Sequence, residues 1–269
     1  MPRLKGDTVK NQKEQSCLEK KCLEKAREQL SIKNCFALPQ AEFENIKKYV
    51  QLAKLNGQRN EFPDFLFPGG FIEHFKITSA PESQSKGSAH IRGISNFHQK
   101  CDQKMKEMAV ATQAAEFFDA YQYKRHSHSN LTVSFKRNWE SHIDSLRNTP
   151  KFDGHIGVFM VHYCDKALKM HGQPPGASDM KLSHEDIEMI DDYSLSRDQK
   201  LLQYLRNYRG VIKYVIFVNS IATEVISIDS IEIRLEQLQA WDYIFCPHPF
   251  AMELYWGSST PAGEGGEAE

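Results

Sequence analysis

The run from Ile156 to Cys164 is almost wholly apolar, and Val211 to Asn219 repeats the pattern. A strand with one wet face alternates apolar and polar residues. A continuous run rich in Val, Ile and Phe reads instead as a strand covered on both faces. Two such strands require a sheet held between layers of helix, and helical spacing is present to supply them. Pro39 suits the first turn of a helix that runs through Phe43, Ile46, Val50, Ala53 and Leu55 and stops at Gly57. Phe97, Cys101, Met105, Met108, Ala109, Ala115 and Phe118 predict a second helix over 96–123, capped by Ser95 or Asn96. Phe135, Trp139, Ile143 and Leu146 predict a third over 132–147, and Ser196 opens a fourth over about 197–208 that Gly210 ends. Further strands are expected at 222–228 and 243–246, with a short helix over about 230–239 between them. The alternation of helix and buried strand is the α/β signature.

The 269 residues suffice for one large domain with a full core, or for two small ones. Three segments are expected: a charged helical arm at 1–36, a single α/β domain at 37–256, and a disordered Gly/Ser/Pro/Glu tail at 257–269. The arm carries a weak stripe of Leu18, Cys22, Lys25 and Ala26. Two polar segments, 81–95 and 165–193, read as loops, the second holding Glu185, Asp186, Glu188, Asp191 and Asp192.

A formal net charge of -1 excludes a polycation, so any nucleic-acid contact must come from a local patch. Residues 86–137 provide one, with Lys86, Arg92, Lys100, Lys124 and Arg125 as the expected phosphate contacts. A solvated helix face is the competing reading. No apolar run reaches the ~18 residues of a membrane-spanning helix. Met1 to Asp7 is charged and no apolar stretch follows, so a cytoplasmic protein with reduced thiols is expected. The six cysteines include no CxxC pair, and neither Cys17/Cys22 nor Cys246-Pro247-His248 has zinc-ligand spacing. His162, His171, His184 and His248 also lack ligand spacing and are expected at structural or surface positions. No phosphate-binding loop, GxSxG elbow or dinucleotide fingerprint occurs, which argues against nucleotide hydrolases, serine esterases and Rossmann oxidoreductases.

The segment with chemical promise is Phe62 to Ser79. Two aromatic-rich arms flank Pro68-Gly69-Gly70, a turn signal. With Pro68 and Gly69 as a two-residue loop, Phe67 faces Gly70, Leu66 faces Phe71, Phe65 faces Ile72, and Asp64 faces Glu73. Carboxylates placed opposite each other repel. A bound cation would offset that cost, and hard oxygen donors suit Mg²⁺ or Mn²⁺. Glu42 or Glu44 of the preceding helix could add a ligand, although a favourable first-turn charge explains either one.

Pro63-Asp64 followed by Glu73 and Lys76 in an apolar hairpin resembles the PD-(D/E)xK nuclease superfamily, to which restriction endonucleases belong. The expected order of helix, hairpin, helix and strand resembles that family's core as well. The resemblance implies a restriction endonuclease-like mixed sheet flanked by helices and a metal-dependent phosphodiester hydrolase. Asp64 and Glu73 would hold Mg²⁺ or Mn²⁺, and Lys76 would orient or deprotonate the attacking water. The implied partner is nucleic acid, DNA before RNA, and a homodimer is compatible with it. One departure stands out: the family places its lysine two residues after the acid, whereas Lys76 is three after Glu73. In a regular strand that spacing puts them on opposite faces, and only a bulge at His74 or Phe75 would reunite them. The alternative function is a non-catalytic interaction protein on a degenerate nuclease-like fold.

Overall fold

The computed structural model describes residues 5–36, 38–57, 61–81, 89–110, 115–122, 126–163, 165, 167–176, 187–190, 192–247 and 252–259. The chain begins with α1 (Lys5–Gln29), β1 (Leu30–Phe36), α2 (Gln40–Leu52), β2 (Lys54–Leu55), β3 (Phe65–Phe67) and β4 (Gly70–Ile77). It continues through α3 (Ala89–Val110), β5 (Ala115–Gln122), α4 (His128–Arg147), β6 (Ile156–Tyr163), β7 (Leu168–Gln173) and β8 (Glu188–Ile190). It ends with α5 (Gln199–Leu205), β9 (Tyr214–Val218), β10 (Thr223–Ser227), α6 (Ile231–Leu238), β11 (Asp242–Pro247) and β12 (Met252–Ser259).

Seven strands form one mixed sheet in the order β1-β10-β9-β6-β4-β3-β2. The apolar runs behave as their composition requires: β6 and β9 lie side by side and parallel at the centre, and β4 joins them, also parallel. β2, β3 and β4 form an antiparallel meander at one edge. The hairpin register is the expected one, pairing Phe65 with Ile72, Leu66 with Phe71 and Phe67 with Gly70. Gly69 makes that turn possible with φ at 81°, a conformation that carries a steric cost for residues with a Cβ. At Gly70 a side chain would run into the Phe67 ring and the Ile156 carbonyl, so the close approach of β3, β4 and β6 depends on glycine there.

The sheet divides two cores. On one face α4 and α5 cover Phe71, Phe75, Phe159 and Val161 with Phe135, Trp139, Ile143, Leu201 and Leu205. Ser127 starts α4 by accepting from the Asn130 amide at 3.1 Å, the side-chain cap that its position favours. On the other face α1 and α2 cover Ile72, Val158, Met160 and Ile216 with Cys22, Leu23, Ala26, Ile46 and Val50.

That second core corrects the expectation of a solvated N-terminal arm. Cys22, Leu23 and Ala26 are buried, and β1 extends the sheet by pairing parallel with β10. Burying a Leu side chain contributes roughly 1.5–3 kcal/mol, so α1 has reason to dock. Arg27 fastens it by donating to the carbonyls of Val50 at 3.0 Å and Ala53 at 2.7 Å, where the last turn and cap of α2 leave acceptors without a helical partner. Lys25 donates to the Asn219 carbonyl at 2.7 Å beyond β9.

Three more expectations change. The helix predicted over 96–123 ends at Val110, and Ala115–Gln122 is instead β5, paired antiparallel with β12. β12 runs to Ser259, past the boundary set for the disordered tail. The polar segment at 165–193 contains β7 and β8, which join β11 in a three-stranded sheet. Each of these strands is completed by a partner distant in sequence, so local patterning does not reveal it. Of the expected phosphate contacts, Lys86, Lys124 and Arg125 lie outside the described residues, as does the side chain of Arg92. Lys100 is exposed on α3. No helix among the described residues is long and apolar enough to cross a membrane.

Candidate metal centre

β4 pairs with β6 residue for residue from Gly70–Ile156 through Ile77–Tyr163, so it contains no bulge. Side chains therefore alternate along its whole length. Phe71, Glu73, Phe75 and Ile77 face α4, and Ile72, His74 and Lys76 face α1 and α2. The rescue that would have brought Lys76 to the side of Glu73 does not occur.

Glu73 is bound within its own face. Its Oε1 lies 2.6 Å from Nδ1 of His142 on α4, whose ring stacks on Phe75 at 4.8 Å between centroids. Its Oε2 accepts from the Asp64 amide at 3.0 Å. The predicted cross-strand meeting of Asp64 and Glu73 is thus real as a backbone-to-side-chain contact. The converse bond completes it, with the His74 amide donating to Asp64 Oδ2 at 2.8 Å. Each carboxylate gains an amide donor, which offsets part of the repulsion between them. Asp64 is still held well above the ordinary carboxylate range, by burial first and then by the charges of Glu73 and Glu19.

The groups able to hold a cation differ from the expected pair. Among the described residues, ligand atoms of Glu19, Asp64 and His74 lie within 4.8 Å of one another, as do those of Cys22, His74 and His162. Glu73 belongs to neither group. Strand alternation gives His74, rather than Glu73, the place on the Lys76 face two residues before it, so the groups that converge there differ from the expected Asp64–Glu73 pair. Neither Glu42 nor Glu44 is in either group. Glu42 on α2 lies 3.5 Å from the Tyr214 hydroxyl, and Glu44 accepts from Gln40 at the surface. The acid that reaches the hairpin is Glu19 on α1, 6% exposed.

The donor chemistry suits a cation. His74 is 8% exposed, and its Nε2 is buried without a hydrogen-bond partner, as is Nδ1 of His162. Buried polar atoms are rarely left unpaired, so these two nitrogens need an explanation. Both rings are held neutral, the form that binds metal. Burial lowers His74 to about 3, helped by His162, Lys76 and His142. Burial lowers His162 to about 4, helped by Lys76 and Lys25.

A buried network beyond β4 fixes this register. Asp165 Oδ2 accepts from the Thr78 hydroxyl at 2.7 Å and the Ser79 amide at 2.7 Å. Ser79 Oγ meets the Tyr163 hydroxyl at 3.0 Å and His126 Nδ1 at 2.7 Å. The ends of β4 and β6 are thereby tied together, with Lys76 opposite His162.

A signal for Glu19 was present in the sequence. Glu19, Cys22, Leu23 and Ala26 lie at helical spacing, and an acid in an otherwise apolar stripe is anomalous. The expected stripe included Leu18, which the structure leaves 41% exposed. No protein-family model, curated protein or solved structure matches this chain.

Proposed function

We propose that this chain is a metal-dependent nuclease of restriction endonuclease-like fold that hydrolyses phosphodiester bonds. The observation that carries the reading is the convergence of Glu19, Asp64 and His74, with Lys76 next along the same strand face. The order α2, hairpin β3–β4, α3 and parallel β6 supports it, with β5 and α4 inserted before β6, because the family's core runs helix, hairpin, helix, strand.

In this reading Glu19 and Asp64 supply hard oxygen ligands and His74 a nitrogen. A dication held by these residues would supply Lewis-acid charge toward a phosphate oxygen and toward the attacking water. Lys76 places its ammonium where negative charge grows on the phosphate and orients the attacking water. Glu73 acts as a positioning residue: it holds the Asp64 amide and is itself held by His142. The imidazole favours Mn²⁺ over Mg²⁺, since Mg²⁺ keeps to oxygen ligands and retains its waters. Nucleic acid is the proposed partner, DNA before RNA, with exposed Lys100 on α3 as a phosphate contact. Assembly as a homodimer is compatible with the reading.

Purified protein should nick or cut supercoiled plasmid, single-stranded DNA or RNA in Mn²⁺ and more slowly in Mg²⁺. EDTA should stop it, and Asp64→Asn should lack it. The deep burial of Glu19 and His74 favours one rival, an interaction protein that retains the fold without the chemistry. Folded protein that cuts none of the three substrates in either metal would support that rival and defeat the nuclease.

A further inference from the structure

We infer that Cys22, His74 and His162 form a second cation site, one for a thiophilic transition-metal dication of the zinc class. The three residues come from α1, β4 and β6, which meet only in the folded chain, so no sequence spacing reveals them.

The donor set carries the inference. One sulfur and two imidazole nitrogens are the ligands that Zn²⁺ and Co²⁺ prefer, whereas Mg²⁺ prefers oxygen. With metal–ligand bonds of about 2.0–2.3 Å, the ligand atoms around a tetrahedral ion lie roughly 3.3–3.8 Å apart. The three atoms here already lie within 4.8 Å of one another. A contraction of about 1 Å completes the site, within the reach of side-chain rotation. Burial strengthens the case. Cys22 is 2% exposed and His74 8% exposed, so their ligand atoms are withdrawn from solvent. Nε2 of His74 and Nδ1 of His162 are buried lone pairs or N–H groups with no partner in the protein. A metal ion explains both orphans at once, while packing alone leaves the desolvation of each uncompensated.

His74 belongs to this group and to the Glu19–Asp64 group. An ion that takes its ring into the sulfur site withdraws it from the oxygen site. Thiophilic metal therefore competes with Mn²⁺ for one ligand, and this consequence alone rests on the nuclease reading. The binding site itself does not.

Cobalt provides the test. Co²⁺ titrated into the full chain under reducing conditions should bring up a thiolate-to-cobalt charge-transfer band in the near ultraviolet. Intense tetrahedral d–d bands should rise with it and saturate near one equivalent, and Zn²⁺ should abolish both. Cys22→Ser should remove the charge-transfer band, with thermal unfolding confirming that the variant is folded. His162→Gln should weaken binding at least about tenfold. Asp64→Asn and Cys35→Ser should leave the band in place. No charge-transfer band in the wild type, or an unchanged band in Cys22→Ser, overturns the site. The two readings separate cleanly: cleavage without the cobalt band defeats only the sulfur site, and the band without cleavage defeats only the nuclease.

Discussion

Two regions of this molecule bury acids, and they do so in different ways. Around the start of α5, Asp192, Asp198 and Glu224 are 2%, 1% and 5% exposed, yet hydrogen bonds surround them. Asp198 accepts from the Tyr193 hydroxyl at 2.7 Å and the Leu201 amide at 3.1 Å, and lies 2.6 Å from His128 Nε2. Asp192 accepts from the Ser220 hydroxyl at 2.6 Å and the Tyr193 amide at 2.8 Å, and Glu224 accepts from the Ser196 amide at 2.9 Å. These acids are staples between loops and strands. At the hairpin, Asp64 and Glu19 bring negative charges together beside His74 and His162, each of which has an orphaned nitrogen. Burial of a carboxylate therefore does not mark a site in this fold. The mark is a concentration of donor atoms whose needs the protein leaves unmet.

If the contrast is right, the two regions respond oppositely to mutation. The largest effect should come from Asp64→Asn. Losing a metal ligand removes several kcal/mol of transition-state stabilisation. That corresponds to a fall of roughly a thousandfold or more in cleavage rate. The melting temperature should hold or rise, because the charge that Glu73 and Glu19 oppose is gone. A cleavage rate that survives would place Asp64 among the staples. Asp198→Ala should do the reverse. It strands Tyr193 and His128 and should cost about 3–5 kcal/mol in urea unfolding, while Mn²⁺ affinity in the folded protein stays at the wild-type value. A parallel loss of metal affinity would merge the two regions.

A smaller effect sharpens the division inside the hairpin. Glu73→Gln keeps a group able to accept from the Asp64 amide, so Mn²⁺ affinity should change by no more than about tenfold. A complete loss in calorimetry would return Glu73 to the ligand set.

The smallest effect is a pH slope. The folded His162 ring is lowered from 6.5 to about 4, so the unfolded chain takes up a proton in that window and the folded ring does not. The ring therefore favours the folded state above pH 6.5, and that advantage is lost as pH falls from 6.5 to about 4. His162→Gln should remove it and make the pH dependence of stability shallower by up to about 1.4 kcal/mol per pH unit. Urea midpoints at the two ends of the window, measured in EDTA, test this, and equal slopes for variant and wild type contradict it.

The sheet and the hairpin register were legible because they are written locally. The apolar runs give the buried strands Ile156–Tyr163 and Tyr214–Val218, and Pro68-Gly69 set which residues of β3 and β4 face each other. The site was half legible. Asp64 and Lys76 stand in a recognisable pattern, and the cross-strand pairing with Asp64 assigns Glu73 the second ligand role. Period-two alternation from Lys76 points to His74 instead, and an unbroken β4–β6 register leaves no other choice. Glu19, Cys22 and His162 reach the site from elements whose docking no local pattern encodes. Phe118 makes the same point elsewhere: assigned to a helix core, it sits in β5 and is 62% exposed, because its strand partner Trp256 lies far along the chain.

The central claim is that the cation site is Glu19, Asp64 and His74 on the α1 face, not Asp64 with Glu73 across the hairpin. Mn²⁺ titration by calorimetry of the wild type, Glu19→Gln and Glu73→Gln, at one pH and with folding checked, addresses it directly. The account predicts binding to the wild type, a loss well beyond about tenfold in Glu19→Gln, and a loss of no more than about tenfold in Glu73→Gln. Binding abolished by Glu73→Gln and untouched by Glu19→Gln would contradict it.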